Sequence, residues 1–186
     1  MNWRGKNKPG SPHAKPILTP LIRGESSIPI KKSNARSIAL YAFKTAVVVD
    51  AAARRPSGLF FSRRLRHAFK QHLHIPTIVQ MWMCACIPRR GVGLEYGYFR
   101  GQVPPAYSTQ FYVCTCRLGN FVFQLVTVKQ PGLLGFVPFP GFENLLISFW
   151  PEIIPGFIWP GNPPRFIRQE RFKELHQRWA SVQPFA

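Results

Sequence analysis

Apolar residues recur at helical spacing along "ARSIALYAFKTAVVVDAAA", residues 35–53. Ile38, Tyr41, Ala42, Thr45, Val49 and Ala52 fall on one side of a 3.6-residue period and form the stripe such a helix buries. Ser33 or Asn34 offers an N-cap oxygen, and "RRPSG" closes the element. The triplet Val47-Val48-Val49 has weak helix propensity, so packing must hold the second half. A second helix is predicted over "RRLRHAFKQHL" (63–73), capped by Ser62 and stopped by Pro76. Its two faces differ. Arg63, Arg66, His67 and Lys70 follow i, i+3, i+4 and i+7 along one stripe, while Leu65, Ala68, Phe69 and His72 lie roughly opposite.

Beyond Pro76 the period changes to two. "TIVQMWMCACI" and "QFYVCTC" read as strands, and "FVFQLVTV" follows the latter after a turn at Arg117-Leu118-Gly119-Asn120, which predicts an antiparallel hairpin. "LEYGYFRG" is a more irregular strand, and "NLLISFW" a short apolar one. The chain closes with a helix over about 167–180, its seam formed by Phe172, Leu175 and Trp179, with Glu174 and Arg178 as an i,i+4 pair. Helices, a meander of strands and a closing helix define an α+β class: N-terminal helices packed on an antiparallel sheet, with a C-terminal helix. Residues 1–16 have the composition of a flexible basic arm, which leaves 17–186 as a single domain. Within it, "ILTPLIRGESSIP" reads as a short apolar stretch ending in a loop.

Charge changes this picture. Of 186 residues, 25 are Lys or Arg and 7 are Asp or Glu, a net +18. The surplus is uneven: residues 1–70 hold 15 basic and 2 acidic side chains, and the remainder 10 and 5. Such a balance draws polyanions, DNA or RNA among them. Arg63, Arg66, His67 and Lys70, flanked by Arg54, Arg55 and Arg64, suit a phosphate backbone, and Arg89 and Arg90 in "PRRG" form a basic tip that adds contacts. Nothing in the pattern indicates base-specific readout.

Other chemistries find little support. Cys84 and Cys86, and likewise Cys114 and Cys116, form C-x-C pairs whose members share one face of a strand. Four sulfurs on neighbouring strands can converge on zinc, but extended C-x-C places thiolates roughly 6–7 Å apart, too far for one tetrahedral ion without a bend. Four small buried side chains are the plainer expectation. Of the histidines, His13, His67, His72, His74 and His176, the pair His72 and His74 has no carboxylate nearby in sequence, and His67 lies in the basic stripe, where a cation helps bind phosphate but is a poor general base; Asp50 is the sole aspartate. No G-x-S-x-G, P-loop or G-x-G-x-x-G occurs. No enzyme, metal site or cofactor is therefore predicted. Four cysteines are too few for a secreted disulfide scaffold of this length, and no secretory signal or membrane span is evident, so a cytoplasmic protein without a membrane partner is expected.

Two Trp-Pro steps, Trp150-Pro151 and Trp159-Pro160, stand nine residues apart. They suit either a groove for an extended peptide, in a protein-interaction module without a nucleic-acid role, or strand ends whose indoles pack on the sheet. The second is favoured by their place between the last strands and the closing helix.

"AKPILTPLIRGE" (14–25), "ALYAFKTAVVVD" (39–50), "RLGN" followed by "FVFQLV", and "FWP…IWPGNPP" before a helix ending "LHQRW" occur in this order. Together they resemble the C-terminal accessory region of uncharacterised bacterial proteins that carry an HNH-endonuclease-like segment at their N-terminus. The resemblance implies a DNA-linked role and a nuclease segment, or another protein, as partner. In those relatives C-x₂-C pairs and a catalytic histidine precede this region. Here "MNWRGKNKPGSPH" has no cysteine and only His13. No HNH residue can be carried over, and the nuclease half is expected to be missing.

Overall fold

The computed structural model describes residues 14–53, 58–87, 94–102, 110–129, 142, 144–152, 156–161 and 166–181. Its elements are α1 (Lys15–Arg23), β1 (Ile28–Ile30), α2 (Lys32–Ala52), α3 (Arg63–His72), β2 (Val79–Cys86), β3 (Leu94–Gln102), β4 (Gln110–Leu118), β5 (Phe121–Val128), β6 (Ile147–Trp150), β7 (Phe157–Trp159), β8 (Phe166–Ile167) and α4 (Gln169–Ser181). The architecture is α+β, as the periodicity predicts, with helices ahead of an antiparallel sheet and a helix behind it.

The main sheet runs β3-β4-β5-β2-β6, and β8 joins β2 in parallel at Ala85 and Cys86. β3, β4 and β5 form the predicted meander, and β4 turns into β5 at Gly119-Asn120 with Leu118 opposite Phe121. β2 precedes the meander in sequence yet pairs on the far side of β5. A separate two-stranded ribbon pairs β1 with β7, Ile28 opposite Trp159.

Both faces of this sheet are covered, which is why β2, β4 and β5 read as nearly continuous apolar runs. On one face, Met81, Met83, Tyr112, Cys114, Phe121 and Phe123 share a core with α1, α2 and Phe69 of α3. On the other, Trp82, Cys84, Val113, Val122 and Val126 pack with Phe142, Leu146, and Phe172 and Leu175 of α4. β2 and β4 are separated by β5, and their cysteine pairs face opposite cores: Cys114 and Cys116 the first, Cys84 and Cys86 the second. The convergent four-sulfur arrangement is therefore excluded. All four thiols are buried and free.

Other expectations need adjustment. "KPILTPLIR" is helical as α1, with Pro16 in its first turn and Pro20 inside, and Gly24 caps its end. Pro20 removes one backbone hydrogen bond, but burial of Leu18 and Leu21 holds the turn in place. α1 begins at Lys15, so the end of the predicted arm is ordered into helix; residues 1–13 lie outside the described residues. α2 starts at Lys32 without a side-chain cap from Ser33 or Asn34. It buries more than the predicted stripe, adding Ala35, Ala39, Phe43, Ala46 and Val47, while Ala52 is exposed and Tyr41 and Thr45 are half-buried. A helix beneath a wide sheet needs a broader apolar arc than one lying at its edge. In α4 the Glu174 carboxylate accepts from Arg171 Nε at 3.1 Å; the side chains of Arg178 and Trp179 lie outside the described residues.

Both Trp–Pro peptides are cis. Trp150 ends β6 and Trp159 ends β7, and the Trp159 ring lies in the first core, 5.7 Å from Phe121. The Trp-Pro steps are strand ends with indoles packed inward, the arrangement that their place in the sequence favours.

Candidate nucleic-acid interface

Among the described residues, α3 packs on the core through one side. Ser62 Oγ accepts from the Leu65 N–H at 3.2 Å and caps the helix as predicted. Leu73, in the left-handed region at φ 51°, ends it ahead of Pro76. Phe69 is buried edge-on against Phe43 at 4.9 Å, and Leu65 is half-buried against the same core. The approach to α3 is fixed from α2. Asp50 is buried, and its two carboxylate oxygens accept the Phe60 and Phe61 N–H groups at 3.1 and 3.0 Å. This charge-assisted pair of bonds sets the position from which α3 departs.

With Phe69 and Leu65 facing inward, the cations face outward. Arg63, Arg64, His67 and Lys70 are exposed and Arg66 is half-buried, in agreement with the predicted stripe. His72 is exposed rather than buried opposite it, because the helix ends before its side chain meets the core. Two neighbouring ridges, Arg63-His67-Gln71 and Arg64-Ala68-His72, bound a shallow open depression. Ala68, short among long side chains, forms its floor. Sequence reasoning misses Gln71, the outward role of His72 and this depression, although a small residue at the centre of a basic helix is a signal for it. Arg54, Arg55, Arg89 and Arg90 lie outside the described residues.

No acid lies near these cations in sequence. The chain has no Asp or Glu between Asp50 and Glu95, and Asp50 is buried and hydrogen-bonded to backbone. None of Arg63, Arg64, Arg66 and Lys70 forms an ion pair among the described residues. Arg63 and Arg64 occupy the first turn, where the helix dipole disfavours cations and favours anions. Two further cations lie near that end. Arg100 donates from Nη1 to the Gly58 carbonyl at 2.6 Å, and Arg100 and Lys129 sit over the Phe60 ring at 5.6 and 5.5 Å. Neither is legible in the sequence, since β3 and the end of β5 bring them there from distant positions.

The stripe from Arg63 to Lys70 spans about 10 Å along the helix. One strand of a duplex presents about three phosphates over that rise. Among the described residues no group of three or more His, Cys, Asp or Glu is placed to hold a metal ion, and no helix is long and apolar enough to cross a membrane. Comparison of the chain with protein-family models, with curated proteins and with solved structures returns no match.

Proposed function

We propose that this protein is a non-catalytic nucleic-acid-binding domain that contacts the phosphate backbone of DNA or RNA, without sequence preference, through α3 and the basic N-terminal half. The observation that carries this is the outward face of α3: Arg63, Arg64, Arg66 and Lys70 on one rigid helix, with no acidic partner among the described residues. A solvated helix that merely keeps a protein soluble mixes both signs of charge and places acids in its first turn. α3 does neither. The resemblance to the region that follows HNH-type segments favours DNA and a nuclease segment as partner, a warrant by association. A cytoplasmic setting agrees with four free thiols.

The alternative, a peptide-binding groove of Trp and Pro, is less supported. Trp159 is only 1% exposed and Trp150 half-buried, so they do not offer a stacked aromatic surface.

The test is fluorescence anisotropy of a labelled random-sequence duplex against the wild-type chain and an Arg63→Ala, Arg66→Ala, Lys70→Ala triple variant. The expected wild-type Kd near physiological salt is on the order of 10⁻⁴–10⁻⁶ M. The triple variant should bind at least about tenfold more weakly, because three phosphates are left without a cation. No binding by the wild type at low salt, or equal binding by the folded variant, would sink the proposal.

A further inference from the structure

β3, the outer strand of the main sheet, carries an aromatic row on one face. It pairs with β4 on one side and with no other strand among the described residues. Leu94, Tyr96, Tyr98 and Arg100 alternate onto the face that bears the first core, opposite Leu118, Cys116, Cys114 and Tyr112. The row grades from covered to open. Tyr98 is half-buried and stacks on Tyr112, ring centroids 6.4 Å apart and planes 17° from parallel. α2 packs over β5 and β6, and at the far end of the row Leu94 and Tyr96 are 58% and 54% exposed.

The surroundings decide what such a surface receives. Arg100 stands on the same face as Tyr96, four residues or about 14 Å along the strand. Its Nη1 is held by the Gly58 carbonyl at 2.6 Å, four residues ahead of the Ser62 cap, so the cation joins the row to the first turn of α3. A guanidinium carries five N–H donors, which leaves it able to bind phosphate while so held. The acid of β3 lies elsewhere: Glu95 alternates onto the opposite face, where its carboxylate accepts from Arg117 Nη1 at 3.3 Å. A second copy of the chain on the open edge of β3 would bring another net +18 to it, whereas a polyanion meets the charge. Exposed aromatics beside cations are what unpaired nucleotides use, because each base offers a π-face to a ring and each phosphate a charge.

We propose that β3 receives single-stranded nucleic acid: a base stacks on the Tyr96 ring with Leu94 beside it, and the phosphate of a nearby nucleotide meets Arg100. Bases within a duplex are stacked on one another and do not reach a ring on the sheet, so this contact is open to unpaired nucleotides alone. The proposal rests on the phosphate-binding reading of α3 and adds to it the kind of strand bound.

The test is fluorescence anisotropy of the full chain with a labelled oligothymidylate of about twelve nucleotides, an abasic strand of the same length and a duplex of the same length. The wild type should bind the oligothymidylate at least about tenfold more tightly than the abasic strand, the scale of one stacked base. Tyr96→Ala should remove most of that difference while leaving the duplex affinity and the salt dependence unchanged, since no cation is lost. Tyr96→Phe should bind as the wild type does, because stacking needs the ring and not the hydroxyl. Should Tyr96→Ala fail to fold, Tyr96→Ile reports in its place, as a strand-forming side chain without a π-face. Equal binding of the oligothymidylate and the abasic strand, unchanged affinity in a folded Tyr96→Ala chain, or an equal loss on the duplex would overturn the assignment. In each of these the duplex still binds and the reading of α3 stands. Absence of binding to all three probes at low salt would remove both.

Discussion

Asp50 is the one aspartate in the chain, and its carboxylate accepts two backbone N–H groups from the segment leading into α3. Asp50→Ala leaves two buried donors unpaired, for a loss of about 3 kcal/mol, which corresponds to a fall in Tm of roughly 6–12 °C in a domain of this size. Thermal unfolding followed by circular dichroism checks this. The position of Asp50 at the end of the helix is legible in the sequence, but its partners are not: hydrogen bonds across ten and eleven residues have no local pattern. The cysteines give a second residue-scale prediction. Burial pushes the Cys116 thiol from its ordinary 9.0 up to about 12, and raises Cys84 and Cys114 further. Burial also raises the Tyr112 phenol, which donates to the Ala46 carbonyl. A group whose pKa is higher in the folded state contributes stability that is full below the unfolded value and is lost as pH rises through the folded one. Stability should therefore decline with rising pH between about 9 and 12, by up to about 1.4 kcal/mol per pH unit for each thiol held neutral. Denaturant midpoints across that range test the sign. Native protein at neutral pH should resist thiol reagents that label the unfolded chain completely.

At the scale of elements, the β4–β5 turn is pressed against the end of α1. Gly119 has φ 55°, and a Cβ there would lie 2.5 Å from the Ile22 carbonyl oxygen, the same oxygen that accepts the Asn120 N–H. Gly119→Ala therefore meets both a left-handed backbone and a backbone clash, and should cost about 2–3 kcal/mol, measured as a shift of the denaturant midpoint. The turn itself is readable from "RLGN" between two alternating runs. α1 is not, because Pro16 and Pro20 make "KPILTPLIR" look like a loop, and only its docking onto α2 and β5 rescues the helix. α3 is read more fully, since a serine cap, a clean two-faced pattern and a following proline are all local signals. What sequence cannot supply is the hollow between its ridges or the approach of Arg100 and Lys129 to the loop before it.

Across the whole molecule, one two-faced sheet organises everything else. Helices α1 to α3 cover one side and α4 covers the other, so apolar runs in β2, β4 and β5 reveal the strands but hide which face each residue serves. The insertion of β2 beyond β5 follows no sequential pattern, and the register on β5, with Cys84 opposite Val122 and Cys114 opposite Leu125, turns the two cysteine pairs into separate cores. The surplus of positive charge is concentrated in the N-terminal half, and α3 presents part of it on a helix anchored by Phe69 and Asp50. An exposed cationic face held this rigidly gains most from a partner with regularly spaced negative charge. The most direct measurement is the slope of log Kobs against log salt concentration for a random-sequence duplex. The account predicts a steep negative slope for the wild type, and a slope shallower by about 2.7 when Arg63, Arg66 and Lys70 are all replaced by Ala, about 0.9 for each phosphate no longer neutralised. A wild-type slope near zero, or the same slope in the folded triple variant, would contradict it.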